Sequence, residues 1–271
     1  MPELPEVETT RRGISPHIIN QRVSKVVIRQ PKLRWPVPRN LSRLLTGQVV
    51  HSVERRAKYL LIGIDSGTLV IHLGMSGSLR VLPANTAAEK HDHVDIVFEN
   101  QTLLRLRDPR RFGAVLWCHD SPSQHKLLSS LGVEPLSRKF SGQYLYQRAR
   151  KRKIAIKQLI MDSHIVVGVG NIYASETLFL AGIRPTTAAC RISLARMEKL
   201  ADAIKQVLRN AIKSGGTSLR DFTQSDGRPG YFQQKLNVYN RAEQPCTVCG
   251  APIKLIKQGQ RATYYCKICQ R

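Results

Sequence analysis

Short β-branched or leucine-rich runs follow one another from Arg22 to about Trp117: VSKVVI, QVVHSVERR, YLLIGI, TLVIHL, SLRVL, HVDIVF, TLLRL and AVLW. Gly, Asn and Asp separate them, so the period reads as strands joined by turns. Many closely spaced strands predict a β-sandwich or barrel rather than a parallel α/β sheet. Ahead of them, Pro5 to Ile14 predicts a helix, with proline in its first turn and Gly13 near its end. From Ser123 the period changes to 3–4: QHKLLSSLG, IAIKQLIMD, NIYASETLFLAG and ISLARMEKLADAIKQVLRNAIKSGG read as helices. In the last, Leu194, Met197, Leu200, Ile204, Val207, Leu208, Ala211 and Ile212 form one apolar stripe, which is core packing. Gly182 and Gly215-Gly216 suit helix C-termini, and TSLRDFTQSDGRPGYFQ reads as a loop. The expected architecture is α+β in two lobes. It comprises an N-terminal helix plus β-sandwich domain over 1–121, a helical domain over 122–236, and a small module over 237–271.

Charge changes this picture. Of 271 residues, 43 are Lys or Arg and 19 are Asp or Glu, a formal net charge of +24. Between Thr9 and Val53 nine cations (Arg11, Arg12, Arg22, Lys25, Arg29, Lys32, Arg34, Arg39, Arg43) meet no acid. Between Pro135 and Met161 there are eight more and again no acid. After Glu243 come Lys254, Lys257, Arg261, Lys267 and Arg271, also unopposed. A single basic run is usually a solvated face, but three in one chain point to a shared surface for a polyanion, nucleic acid first. No basic amphipathic helix dominates, which argues against a membrane-surface role. No apolar run of about 18 residues occurs, which argues against a transmembrane helix. MPELPEVETTRRG lacks the apolar stretch of an export signal, so a cytoplasmic, non-secreted protein is expected.

Four of six cysteines read C-x2-C, sixteen residues, C-x2-C: Cys246, Cys249, Cys266 and Cys269. That spacing brings four thiolates to one tetrahedral ion across a hairpin, and a reducing compartment disfavours the disulfide alternative. Four thiolates leave no open coordination position, so one structural zinc is expected, with no redox cofactor. The segment is too short for its own core and needs the metal to fold. Arg261 falls near the hairpin tip, while Cys118 and Cys190 read as ordinary thiols.

The first residues carry a further chemical possibility. An α-amino group, with a reference pKa near 7.7–8.0, is substantially neutral at pH 7, whereas lysine is almost wholly cationic. A terminal amine is therefore a ready Schiff-base nucleophile. Removal of Met1 would expose the secondary amine of Pro2, whose iminium cannot shed a proton and so persists as an electron sink. Glu3 beside it can act as an acid. Taken alone, Met-Pro-Glu is an unremarkable terminus.

It does not stand alone. PELPEVET at the start, HLGMSG at 72–77, DPRRFG at 108–113, GVGNIYASE at 168–176 and QRATYYC in the four-cysteine segment together resemble the formamidopyrimidine-DNA glycosylase family. These blocks span nearly the whole chain, in family order. The resemblance implies that Pro2 attacks C1′ of a damaged nucleotide and that Glu3 is the acid. It also implies that Lys58 assists β-elimination (by spacing alone, an ordinary strand lysine) and that Arg261 assists δ-elimination. Met75, Arg110 and Phe112 match a gap-filling triad. An apolar wedge offsets the cost of flipping a base, and Arg110 can address the orphaned cytosine. His72, His91, Arg152 and Lys157 become phosphate or pocket candidates, and Arg111 serves a phosphate or the fold. Asn171 reads as the N-cap of a helix in a helix–two-turns–helix element whose backbone N–H groups meet phosphates. Glu176 supports the site or the turn. Thr217, Ser218, Arg220 and Tyr231 fall in the loop aligned over the everted purine. The implied enzyme excises oxidised purines from double-stranded DNA, nicks abasic sites, and acts as a monomer. Two alternatives are an endonuclease VIII-like pyrimidine-lesion enzyme and a zinc-ribbon DNA-binding protein without chemistry.

Overall fold

The computed structural model describes residues 2–215 and 236–271. These form two compact units, one built on residues 2–129 and the other on 130–214 together with 236–271.

The first unit opens with α1 (Leu4–Ile18). Glu3 is its N-cap in a reciprocal capping box: the Glu3 backbone N–H donates to Glu6 Oε2 at 2.8 Å, and the Glu3 carboxylate receives the Glu6 N–H. The helix runs past Gly13 and contains Pro16, four residues beyond the expected end. Proline forfeits a single intrahelical bond, and the last turn is held because Ile14 and Ile18 are both buried in the sandwich core.

Eight antiparallel strands follow, β1 (Val23–Ile28), β2 (Ser52–Arg56), β3 (Tyr59–Ile64), β4 (Gly67–His72), β5 (Ser78–Pro83), β6 (Asp92–Phe98), β7 (Thr102–Arg107) and β8 (Ala114–Cys118), with a short helix α2 (Leu41–Leu45) after β1. They make two four-stranded sheets of order β1-β6-β7-β5 and β2-β3-β4-β8. Val26, Ile96 and Leu104 of one sheet share a core with Leu60, Leu69 and Val115 of the other, so the predicted sandwich is present.

One buried ion pair positions a site loop. Arg105 and Asp95 face each other across β6 and β7, and the guanidinium grips the carboxylate through Nε and Nη2, both at 2.8 Å. Its remaining N–H groups reach the carbonyls of Ala87 and Thr86 at 2.8 and 2.9 Å. The pair therefore pins the loop that leads into His91, whose backbone sits at φ 84°.

A second network joins α1 to the sheet. Glu8 accepts from Arg11, from Arg12 and, at 3.1 Å, from Arg55 of β2. Burial alone would raise the Glu8 carboxyl, but hydrogen bonds from Arg11 and Arg12 outweigh it. With the charges of Arg11 and Arg55 they hold it at about 2 rather than 4.5. Because the folded value is depressed, this stabilisation is complete above pH 4.5 and is lost as pH falls toward 2. Discounted for the solvent-exposed Arg12 partner, it amounts to about 1–2 kcal/mol. Glu8→Gln is expected to lower stability by that amount at neutral pH and by nothing near pH 2, as read from urea unfolding at both ends.

The second unit packs α3 (Gly142–Ala149), α4 (Ile156–Met161), α5 (Asn171–Leu180) and α6 (Leu194–Lys213) around Phe140, Tyr173, Leu178 and Leu200. Helix α3, which the spacing does not predict, is capped by Ser141, whose Oγ accepts the Tyr144 N–H. The helix predicted at 124–132 does not form. Only a single 3-10 turn, Pro122–Gln124, stands there. Of its three leucines, Leu127, Leu128 and Leu131, only Leu128 is buried, and the His125 ring accepts the Leu127 N–H, competing with a helical pattern. Gly182, at φ 66°, lies just past α5 as expected. The terminal hairpin β9 (Lys254–Gln258) and β10 (Arg261–Tyr265) shares a small core with α5 through Phe179, Val238, Ile253 and Cys266. Among the described residues no helix is long and apolar enough to cross a membrane.

Candidate active site and nucleic-acid interface

In the first unit the capping box holds Pro2 and Glu3 at the N-terminal end of α1. Both are buried, Glu3 to 2% exposure. Lys58 occupies the two-residue turn between β2 and β3, beside Ala57 at φ 55°. It is thus a turn residue rather than the strand-surface lysine its spacing suggests. Arg55 donates to the Ala57 carbonyl at 2.9 Å while its Nε holds Glu8, so one guanidinium links α1 to the lysine-bearing turn.

The segments containing Met75 and Phe112 meet face to face. Gly74 has φ 66°, and a Cβ there would lie 2.4 Å from the Phe112 carbonyl carbon, so this approach requires glycine. Asp108, wholly buried, organises the junction. Its Oδ1 accepts from Ser76 Oγ at 2.9 Å and from the Arg110 N–H at 3.3 Å, and its Oδ2 accepts from the Gly113 N–H at 2.7 Å. The His93 ring bonds its carbonyl at 2.8 Å. On this scaffold Met75 (38%) and Phe112 (44%) are exposed, and the Arg110 guanidinium lies 5.1 Å over the Phe112 ring. An exposed thioether, ring and guanidinium held by a buried carboxylate can enter a base stack with little ordering cost. Asp108 and Ser76 escaped the sequence reading. Their one signal is the Asp-Pro start of DPRRFG, a turn-former.

His72 faces the same region as a neutral ring. Burial first, then the charges of Lys58 and Arg34, depress it to about 4. Its Nδ1 accepts the Gly74 N–H at 2.9 Å, which leaves the ring proton on Nε2 as a donor. His91 is half-buried, and its carbonyl accepts the Asp108 N–H at 3.0 Å.

In the second unit β9 and β10 turn through Gly259 and Gln260, both at positive φ (53° and 62°), a primed two-residue hairpin. Arg261 follows immediately and is exposed. The Ala262 carbonyl beside it receives Lys157 Nζ at 3.2 Å and Asn171 Nδ2 at 3.0 Å, and Lys157 also reaches Thr263 Oγ1 at 2.8 Å. This corrects two expectations. Lys157 is 2% exposed and anchors the arginine-bearing strand rather than meeting a phosphate in this structure. Asn171 is the first residue of α5, with Gly170 as the N-cap. Its buried Oδ1 has no hydrogen-bond partner among the described residues. Arg152 is exposed and lies 3.6 Å from Asp162. Asp162, Lys157, Gln158 and Arg261 line a cleft of about 250 Å³. Glu176 is buried and accepts four N–H groups, from the Asn237 backbone (2.8 Å) and side chain (3.0 Å), Val238 (3.0 Å) and Tyr239 (2.9 Å), so it supports the turn at 237–239. Thr217, Ser218, Arg220 and Tyr231 lie outside the described residues.

The sulfur atoms of Cys246, Cys249, Cys266 and Cys269 all lie within 4.8 Å of one another. Two pairs stand at 3.5 and 3.9 Å. A tetrahedral zinc with Zn–S bonds of about 2.3 Å requires sulfur separations of about 3.8 Å, so the cluster fits one zinc ion. The four thiols are unequal. Burial works against ionising Cys266, yet the N–H groups of Cys269 and Ile268 bring it to about 7. Burial and the neighbouring thiols push Cys269 up to about 12.

The chain thus combines a β-sandwich bearing a buried N-terminal acid and an exposed Met75–Phe112 edge with a helical unit that carries a four-cysteine hairpin. Residues 1–115 match the formamidopyrimidine-DNA glycosylase N-terminal domain, 131–223 the helix–two-turns–helix domain of the same enzymes, and 243–271 the zinc finger found in these glycosylases and in IleRS. The formamidopyrimidine-DNA glycosylases of Syntrophotalea carbinolica and Thioalkalivibrio sulfidiphilus are 60% and 57% identical, each over the full length of both chains. The Thermus thermophilus enzyme superposes with a TM-score of 0.88 at 36% identity, covering 99% of this chain and 98% of its own. A Lactococcus lactis mutant, solved with a DNA containing Fapy-dG, gives 0.92 at 33% over the whole of both chains. The chain belongs to the formamidopyrimidine-DNA glycosylase family: it is a base-excision repair enzyme, a DNA glycosylase with abasic-site lyase activity.

Proposed function

We propose that this chain removes oxidised purines, 8-oxoguanine and formamidopyrimidines, from duplex DNA and cuts the resulting abasic strand by β,δ-elimination, acting as a monomer in the cytoplasm. The observation that carries it is the rigid wedge of Met75, Arg110 and Phe112 in the same unit as Pro2, Glu3 and the Lys58 turn. The wedge fills the gap left by an extruded nucleotide and Arg110 addresses the base opposite. The Pro2 nitrogen attacks C1′ and sheds its proton as the glycosidic bond breaks and the base leaves. Glu3 protonates the ring O4′, the C1′–O4′ bond opens, and the C1′=N iminium forms. The iminium takes up the electron pair left when the C2′ proton departs, and the 3′ phosphate is expelled. Lys58 assists this first elimination. Arg261, with Arg152, His72 and His91, meets phosphates, and Arg261 assists the second elimination. The related Lactococcus structures with Fapy-dG and abasic-site DNA support this substrate class, and the zinc holds the Arg261 hairpin in shape. Duplexes carrying 8-oxoguanine opposite cytosine and thymine glycol opposite adenine test the reading side by side. Release of 8-oxoguanine is expected to be at least tenfold faster; the reverse order would assign an endonuclease VIII-like specificity, and lesion-independent binding without cleavage would remove the enzyme reading.

A further inference from the structure

We infer that Lys32 and Arg34 form a phosphate clamp next to the wedge, gripping the DNA backbone beside the extruded nucleotide. This rests on the glycosylase reading above and adds a binding element to it. A cleft of about 730 Å³ is lined by the wedge residues Met75, Arg110 and Phe112 together with Lys32, Arg34 and His72.

The 32–36 segment is built to present those two cations. A backbone bridge between Lys32 and Pro36 closes it into a tight loop. The Lys32 N–H donates to Gln30 Oε1 at 3.0 Å and the Val37 N–H to the Pro31 carbonyl at 2.9 Å. Leu33 packs onto the sandwich core, while its neighbours Lys32 and Arg34 are both exposed. The Arg34 N–H donates to the Gly113 carbonyl at 3.1 Å, so the loop is fastened to the strand end that carries Phe112. The Arg34 guanidinium lies over Trp35 at 4.8 Å, which limits its rotamers.

The charge balance selects the ligand. Among the described residues Lys32, Arg34, Arg110 and Arg111 line the cleft and no carboxylate does. Asp108, which organises the wedge, is buried with both oxygens turned onto Ser76, Arg110 and Gly113. His72 adds a neutral donor through Nε2. Cations gathered with no resident counter-charge require an anionic ligand, and with the wedge occupying the base stack, the group across the cleft is the sugar–phosphate chain. A guanidinium beside an ammonium suits one phosphate or two adjacent ones.

Lys32→Gln, Arg34→Gln and the double variant test this on an 8-oxoguanine duplex that the wild-type enzyme cuts. The plot of log Kd against log salt is expected to lose about one unit of slope per phosphate released, equally for every opposite base. Lys199→Gln, an exposed cation of α6 outside the cleft and outside the three basic runs, is expected to keep the wild-type slope. A scan of neutral methylphosphonate linkages along each strand then locates the contact. At one or two positions the substitution weakens the wild type several-fold and the double variant no further. Unchanged slopes, additive losses at every linkage, an equal loss in Lys199→Gln, or a loss that follows the opposite base would each overturn the clamp. If the wild type cuts no oxidised duplex, the glycosylase reading falls and takes the clamp with it; a normal cut with unaltered variants removes the clamp alone.

Discussion

A chain that retains Met1 ahead of Pro2, or one acetylated on the Pro2 nitrogen, is expected to give no borohydride-trapped adduct and to lose strand cutting by on the order of 10³-fold or more. The expectation follows from proton occupancy. At pH 7 an ordinary α-amino group offers its lone pair roughly 400 times more often than a lysine does, given reference values near 7.8 and 10.4. Blocking it leaves lysine side chains as the remaining amines, a class whose reference pKa near 10.4 makes it almost wholly cationic at pH 7. The structure adds a positional reason. Pro2 stands directly before the capping-box residue Glu3, whose backbone is fixed by Glu6 at 2.8 Å, so the attacking nitrogen and the candidate acid are set by the same helix end. Peptide mapping of the trapped complex of the processed enzyme checks the assignment. The adduct is expected on the N-terminal peptide. An adduct on Lys58 or any other lysine, or undiminished cutting by the acetylated chain, would remove Pro2 as nucleophile while leaving the wedge intact.

What could be read from the chain depended on how local each determinant is. The zinc ligands were legible because two C-x2-C pairs at hairpin distance fix one geometry whatever surrounds them. The exposure of Met75 and Phe112 was legible because large apolar residues beside glycines in turn text are poor core candidates. Asp108 was not, since its four partners belong to residues 76, 93, 110 and 113, which only the packed sheet brings together. Lys157 shows the opposite failure. A basic run predicts exposure for each of its members, and nothing local says that this one turns inward to the Ala262 carbonyl and Thr263. The sandwich followed from strand spacing. The false helix at 124–132 came from an apolar pair with too little to bury, and the overrun of α1 beyond Gly13 from two isoleucines whose burial outweighs a proline.

Removing zinc with a chelator, or substituting Cys266→Ser, is expected to unfold the terminal hairpin and to abolish DNA cutting. The hairpin core holds only Phe179, Val238, Cys246, Ile253 and Cys266 among buried residues. At about 2 kcal/mol for each large apolar side chain, that burial falls far short of the ordering cost of some thirty residues. Structural zinc adds apparent binding energy of about 10–16 kcal/mol, more than that burial provides, so the hairpin depends on the metal. The consequences run outward along specific bonds. Gln270 accepts the Cys266 N–H at 2.9 Å and donates to the Ile183 carbonyl at 2.9 Å, so the second cysteine pair is stitched to the end of α5. Arg261 rides on the strand that ends at Tyr265, one residue before Cys266. Without the metal the four thiols relax, β10 loses its anchor, and Lys157 and Asn171 lose the Ala262 carbonyl they share. Hydrogen exchange is expected to rise across residues 254–265 by several orders of magnitude, while strands β3, β4 and β6 of the sandwich keep their protection. One equivalent of zinc restores the hairpin. Protection across 254–265 that survives complete metal removal would mean that packing against α5 suffices to hold the finger.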